Sequence, residues 1–322
     1  MSPSPRKRAT SLGKPLPTVT WRQGVHLVGS ALWCDALRAH GLCFVSSVRA
    51  IPRARKRAGT LLTTQTTLSL LSALHRAPEG AQLLSPLRRP FFWGSLRLEL
   101  FANSDLPGSA SLWVKLPSEE RVIVAGQPSE QSSELLEPLQ LRQAETLVIA
   151  APWAPLHLEL PTIDEMAHSV RSELALAKAM GVPLLVRCSS VVKLAELVGK
   201  LDLGPLKLHV DLHRAWQWCQ SLPRFPKLHS VSARTVAPGE VLWWPHAAPP
   251  PKLPVTPREL HLADGLSRAG LVRYARGSGV RQVYLTAGFS SEVAAALSVH
   301  KIGAAPLGPP QQLALFGEFA AP

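Results

Sequence analysis

Residues 183–222 read PLLVRCSSVVKLAELVGKLDLGPLKLHVDLHRAWQWCQSL, two compact apolar runs alternating with two amphipathic stretches. The run Pro183–Arg187 predicts a strand, Ser190–Leu201 a helix, Leu206–Val210 a second strand and Leu212–Leu222 a second helix. Pro223–Pro226 then ends the series. Strands that alternate with helices join a parallel sheet, because each crossover helix carries the chain back to the end of the sheet where the previous strand began. Working outward, Thr162 with Glu165 three residues on forms a capping box, which predicts a helix through Met180 stopped by Gly181. Asp164 and Glu165 belong to its first turn, where carboxylates complement the helix dipole, so capping explains them better than catalysis.

Downstream, the pattern predicts a strand at Glu240–Trp244, a proline-rich linker at Pro245–Pro257 and a strand at Glu259–Ala263. A helix at Ser267–Arg276, a strand at Arg281–Thr286, a helix at Ser290–Lys301 and a flexible run at Ala304–Pro310 follow. The first half is instead rich in strands, at Leu42–Ser46, Ser95–Phe101, Ser111–Leu116, Arg121–Ala125 and Thr146–Ala150, with one helix at Thr66–Arg76. The expected class is α/β, as a discontinuous domain carrying an insertion or with a separate Rossmann-like unit after residue 160.

With 46% apolar and 18% charged residues over 322 positions, the chain is not a wholly disordered protein. No apolar stretch reaches the ~18 residues of a membrane span. The basic first residues have no apolar segment behind them, so no secretory signal is expected and the expected compartment is the cytoplasm. Cys34, Cys43, Cys188 and Cys219 include no C-x-x-C pair and read as buried free thiols. No G-x-G-x-x-G, P-loop or G-x-S-x-G occurs, which removes those nucleotide-binding and serine-hydrolase classes. The net charge of +13 is concentrated in residues 1–60, where eleven Lys and Arg stand against the single acid Asp35. Such a region attracts polyanions, of which nucleic acid is the commonest in the cytoplasm. Arg6–Lys14 taken alone reads as a solvated tail.

Several segments, in order, resemble the metallo-β-lactamase fold nucleases of the β-CASP group, and the ligase-associated DNA exonucleases in particular. Leu42-Cys-Phe-Val-Ser46 resembles the strand leading into that family's H-x-H-x-D-H loop. Residues 98–112, LELFANSDLPGSASL, resemble its strand-loop-strand around a histidine, and Val122-Ile-Val-Ala-Gly126 the strand before a metal-bridging aspartate. Leu262-Ala-Asp-Gly265 is similar to its L-S-D-H motif, and residues 283–289, VYLTAGF, to its V-Y-x-T-H-G-F. The resemblance implies an αββα sandwich from residues 18–158 and 236–303 and a β-CASP-like insertion at 159–235, while charge and composition set off a basic tail at 1–17 and a flexible C-terminal tail at 304–322.

It also implies a two-metal site, and there the chain departs throughout. The metal-associated positions fall on Ser47, Arg49, Ile51, Pro52, Ser104, Gln127, Gly265 and Ala287, most of which cannot hold a metal. No metal, other cofactor or catalytic residue is therefore expected. His209 and His213 have ligand-like spacing, but they straddle a strand-to-helix boundary and read as polar residues at a helix start. Asp264 reads as a turn or cap residue. Trp216, Trp218, Trp243 and Trp244 could stack bases, although packing is the commoner use of such side chains.

The leading expectation is a catalytically inactive, metal-free nuclease-fold subunit that binds nucleic acid, DNA first, in repair or replication. Arg49, Arg53, Arg55, Lys56 and Arg57 are the expected phosphate contacts. The alternatives are a nuclease or hydrolase with a relocated site using Asp264 and His261, or a pure protein-interaction module. Gln312, Leu313, Leu315 and Phe316 resemble the Q-L-x-L-F peptide that binds the bacterial sliding clamp, and an apolar tail docked on its own domain is the competing reading. An intact nuclease paralogue or a DNA ligase is the other candidate partner, and no membrane partner is expected.

Overall fold

The computed structural model describes residues 18–36, 41–51, 59–201 and 203–309. The described residues open with β1 (Val19–Trp21), β2 (Val25–Leu27), β3 (Leu32–Cys34) and β4 (Leu42–Phe44), then a 3₁₀ turn (Val48–Ala50), β5 (Thr60–Thr63), α1 (Gln65–Ala73) and β6 (Gln82–Leu84). Next come β7 (Phe91–Trp93), β8 (Leu96–Ala102), β9 (Ala110–Lys115), β10 (Arg121–Val124) and β11 (Thr146–Ala150). A third stretch holds α2 (Ile163–Met180), β12 (Leu184–Arg187), α3 (Val191–Val198), β13 (Leu206–Leu208), α4 (Val210–Cys219), β14 (Ser230–Ser232), β15 (Val241–Trp244) and β16 (Arg258–His261). α5 (Arg268–Gly277), β17 (Gln282–Ala287), α6 (Ser291–Ser298) and β18 (Gly303–Pro306) complete it.

The fold is mixed α/β, with three sheets and six α-helices among the described residues. β1 to β6 form the first sheet in chain order, and the second runs β18-β17-β11-β10-β9-β8-β7. The period-2 alternation along each strand sorts side chains between two cores. Val122, Val124 and Val148 face Leu42, Phe44 and Leu62 of the first sheet, whereas Ile123, Leu147 and Ile149 face Leu271 of α5 and Val293 and Leu297 of α6. On the far side of the first sheet, Cys43, Val45 and Leu61 pack with Leu70 and Leu71 of α1. The order of layers is therefore helix, sheet, sheet, helix.

The third sheet, β14-β13-β15-β12-β16, is parallel throughout. Its buried strands carry near-continuous apolar runs, as a sheet covered on both faces requires. Leu184, Val186 and Trp243 meet α2, α3 and α4 on one face, and Leu185, Leu242 and Trp244 lie under the proline-rich segment that follows β15.

Three expectations are corrected here. The third sheet takes β15 and β16 from beyond residue 235, where the sequence closed the insertion, because both strands pair directly with β12. Val210, expected at a strand end, opens α4, since His209 caps that helix with its ring. Ala304–Pro306, expected as a flexible run, belongs to β18, whose register on β17 runs from Gln282↔Gly303 to Leu285↔Pro306.

The capping box at Thr162 and Glu165 is formed in both directions, and Gly181 ends α2 at φ 65°. Thr162→Ala is expected to lower unfolding free energy by about 1 kcal/mol, measured as a shift in urea midpoint at constant m-value. None of the four cysteines is in a disulfide, and all four are buried. Among the described residues no helix is long and apolar enough to cross a membrane.

Candidate functional site

Parallel strands deliver their following loops to one end of a sheet, which is where α/β proteins assemble sites. Here six such loops converge: Arg49 follows β4, Gln127 follows β10, Trp153 follows β11, Ser189 follows β12, His246 follows β15 and Asp264 follows β16. They line one face of a cleft of about 810 Å³ between the two-sheet body and the third-sheet unit. Val48, Leu70, Leu74, Leu106, Leu212 and Ala215 supply apolar wall.

At the base of the cleft lies an ion cluster. Nη2 of Arg49 donates to Oδ2 of Asp264 at 2.8 Å and stands 3.0 Å from Oδ1 of Asp105 in the β8–β9 loop. The other oxygen of Asp264 accepts from Trp153 Nε1 at 3.2 Å and Gln127 Nε2 at 3.4 Å. Nζ of buried Lys193, on α3, donates to the carbonyl of Ala263 at 2.9 Å and to the side-chain carbonyl of Gln131. The cluster thus links loops from all three sheets.

Burial penalises each charge, and the partners decide the outcome. Burial works against the charge of Arg49, but Asp105 and Asp264 outweigh it and raise its affinity for the proton. Burial opposes ionisation of Asp264 too, yet Arg49 and Lys193 hold its carboxyl below the usual range. Asp105 goes the other way: burial, reinforced by Asp264, pushes it up to about 6 against the pull of Arg49. Its Oδ2 has no hydrogen-bond partner. Burial lowers Lys193 and lowers His246 to about 4. His246 Nδ1 lies 3.0 Å from Ser189 Oγ, while its Nε2 is buried and unpartnered.

Several of the expected positions do meet. Ser47 caps the 3₁₀ turn that carries Arg49, its hydroxyl accepting the Arg49 N–H at 3.2 Å. Ser104, at φ 58°, precedes Asp105, and Gln127 reaches Asp264. Gly265 stands at φ 101°, a conformation that residues with side chains avoid, so glycine here has a backbone reason of its own. Ile51 packs into the core below the turn, and Ala287 is exposed at the end of β17, its carbonyl taking the Ala151 N–H. Pro52, Arg53, Arg55, Lys56 and Arg57 lie outside the described residues, as do Gln312, Leu313, Leu315 and Phe316. Arg49, expected as a phosphate contact, has its guanidinium held by the Asp105 and Asp264 carboxylates.

The remaining candidates are accounted for by packing. His209 accepts the Asp211 N–H as the cap of α4, whereas His213 turns to Ser230, so the two do not share a ligand. Trp216 and Trp243 are fully buried, and Trp244 donates to the Pro249 carbonyl. His261 Nε2 lies 3.6 Å from Glu259 rather than at Asp264.

A pair of divalent ions needs several histidine and carboxylate donors around each ion. Among the described residues no group of three His, Cys, Asp or Glu side chains could hold one. Asp105 and Asp264 are the carboxylates present, with a guanidinium between them. The implied two-metal centre does not fit this donor set. Sequence reasoning missed Asp105, Lys193, Trp153 and His246. The signal for Asp105 lay one residue past Ser104, whereas Lys193 shares its short helix with Glu196 and reads as an ordinary charged surface position.

No protein-family model matches the chain, and no curated protein matches it either.

Proposed function

We propose that this chain is a metal-free member of the metallo-β-lactamase fold nucleases of the β-CASP type, serving in the cytoplasm as a non-catalytic, nucleic-acid-binding subunit of DNA repair or replication. The observation that carries the reading is the Arg49 guanidinium held between Asp105 and Asp264, on loops that resemble the family's metal-binding ones. A fixed organic cation balances the two carboxylates there but brings no water whose pKa is lowered. The helix-sheet-sheet-helix layering and the parallel unit between β11 and β17 support the fold assignment. Binding is assigned to the cationic segment 53–57 and the N-terminal charge.

The test combines metal analysis, a DNA degradation assay and DNA binding across salt concentrations on the full chain. Sub-stoichiometric metal, no degradation and salt-dependent binding are expected. Two equivalents of tightly held zinc or manganese with chelator-sensitive degradation would overturn the non-catalytic assignment. Absence of binding even at low salt would leave a protein-interaction module.

The tail motif extends the proposal to partners. A peptide covering 309–319 is expected to bind the bacterial sliding clamp with a Kd on the order of micromolar, since burying Leu315 and Phe316 contributes about 1.5–3 kcal/mol each before ordering costs. Gln312 would set the register and Leu313 flank the anchors. Titration of that peptide, repeated with both anchors changed to Ala, checks this: equal binding by the double variant removes the clamp. An intact nuclease paralogue is the partner expected to supply the missing chemistry, with a DNA ligase as the other repair partner, and co-purification of the full chain with either one checks that.

A further inference from the structure

The cleft above the ion cluster has chemistry unlike that of a polyanion channel. Its volume of about 810 Å³ lies in the range of small-molecule sites, which run from ~300 to ~1,000 Å³. The two guanidinium groups that line it each meet a carboxylate in the same lining, Arg49 with Asp264 and Arg76 with Asp211. Among the described residues the lining is therefore close to electroneutral, and a charged ligand would have to break an existing pair. Two flat faces border the space, the Trp153 indole and His246 rings in edge contact at 5.3 Å. Prolines 152, 245 and 249 add further flat surface, and Leu156, 71% exposed, stands in the lining as an apolar side chain without cover.

We propose that this cleft binds a neutral, planar, ring-bearing small molecule. Flat walls favour a flat ligand because its faces meet them without ordering flexible chains. Electroneutrality favours an uncharged one. Burial also lowers His209 and His246, so both rings are neutral at pH 7 and add no charge to the lining. The readout is binding of a small neutral probe, so the proposal stands or falls independently of nucleic-acid binding.

The experiment is saturation-transfer NMR on the full chain with indole as probe and benzoate and phenyl phosphate as charged comparators. Indole is expected to bind and both anions to bind more weakly. Ala247→Trp, an exposed substitution in the lining, is expected to weaken indole at least about tenfold while DNA binding is unchanged. Leu156→Asp, also exposed, provides a second variant with the same expected direction. No transfer to indole, tighter binding of either anion, or indole binding unmoved in both variants would overturn the proposal.

Discussion

Asp264→Asn is expected to lower the unfolding free energy by about 3–5 kcal/mol, the largest loss of any single substitution in the cleft. The carboxylate is buried and accepts from Arg49, Trp153 and Gln127, with Lys193 as a further opposing charge. An amide keeps the shape but removes the negative charge, leaving buried Lys193 and the half-buried Arg49 facing Asp105 alone. Asp105→Asn is expected to stay within about 1 kcal/mol of the parent at pH 7, because it removes a carboxylate that burial already disfavours while Arg49 keeps Asp264. Urea unfolding of both variants checks the contrast, and equal losses would show that the two carboxylates are not distinguished in this way.

The pH dependence separates them as well. Asp264 is held below the usual carboxylate range, so its stabilisation is present above about pH 4 and is lost as pH falls toward its folded value. Asp105 is raised to about 6, so its contribution is complete below about pH 4 and is lost as pH rises through about 6. The Asp105→Asn variant should therefore lack the fall in stability between about pH 4 and 6 that this carboxylate imposes on the parent.

The second large effect concerns nucleic acid. Replacing Arg53, Arg55 and Arg57 together by Ala is expected to flatten the plot of log K against log salt by about one unit of slope per arginine. At ~0.1 M salt this corresponds to roughly a 10²–10³-fold loss of affinity, shared by unrelated sequences because phosphate contacts carry no base readout. Fluorescence anisotropy with two unrelated duplexes over a salt series checks it. An unchanged slope would exclude this segment as the contact.

Local interactions account for what the sequence determined by itself. Thr162, Glu165 and Gly181 bound α2 because a cap satisfies backbone groups within one turn, wherever the helix later packs. The run Val122-Ile-Val124 was readable as a buried strand, and its pleat then sends successive side chains to opposite faces. The parallel arrangement around β12 followed from alternating periodicities. Tertiary structure alone decided the rest. β1, β2 and β3 are only three residues long, too short for a pattern, and exist because neighbouring strands offer pairing edges. Gly303-Ala-Ala-Pro306 has no strand propensity and becomes β18 because β17 presents an open edge to it. Arg49 read as a surface cation because its carboxylate partners lie 56 and 215 residues further along the chain. The meeting of those three side chains depends on sheet packing and loop convergence, and no local stretch of sequence encodes a contact that only the assembled layers create.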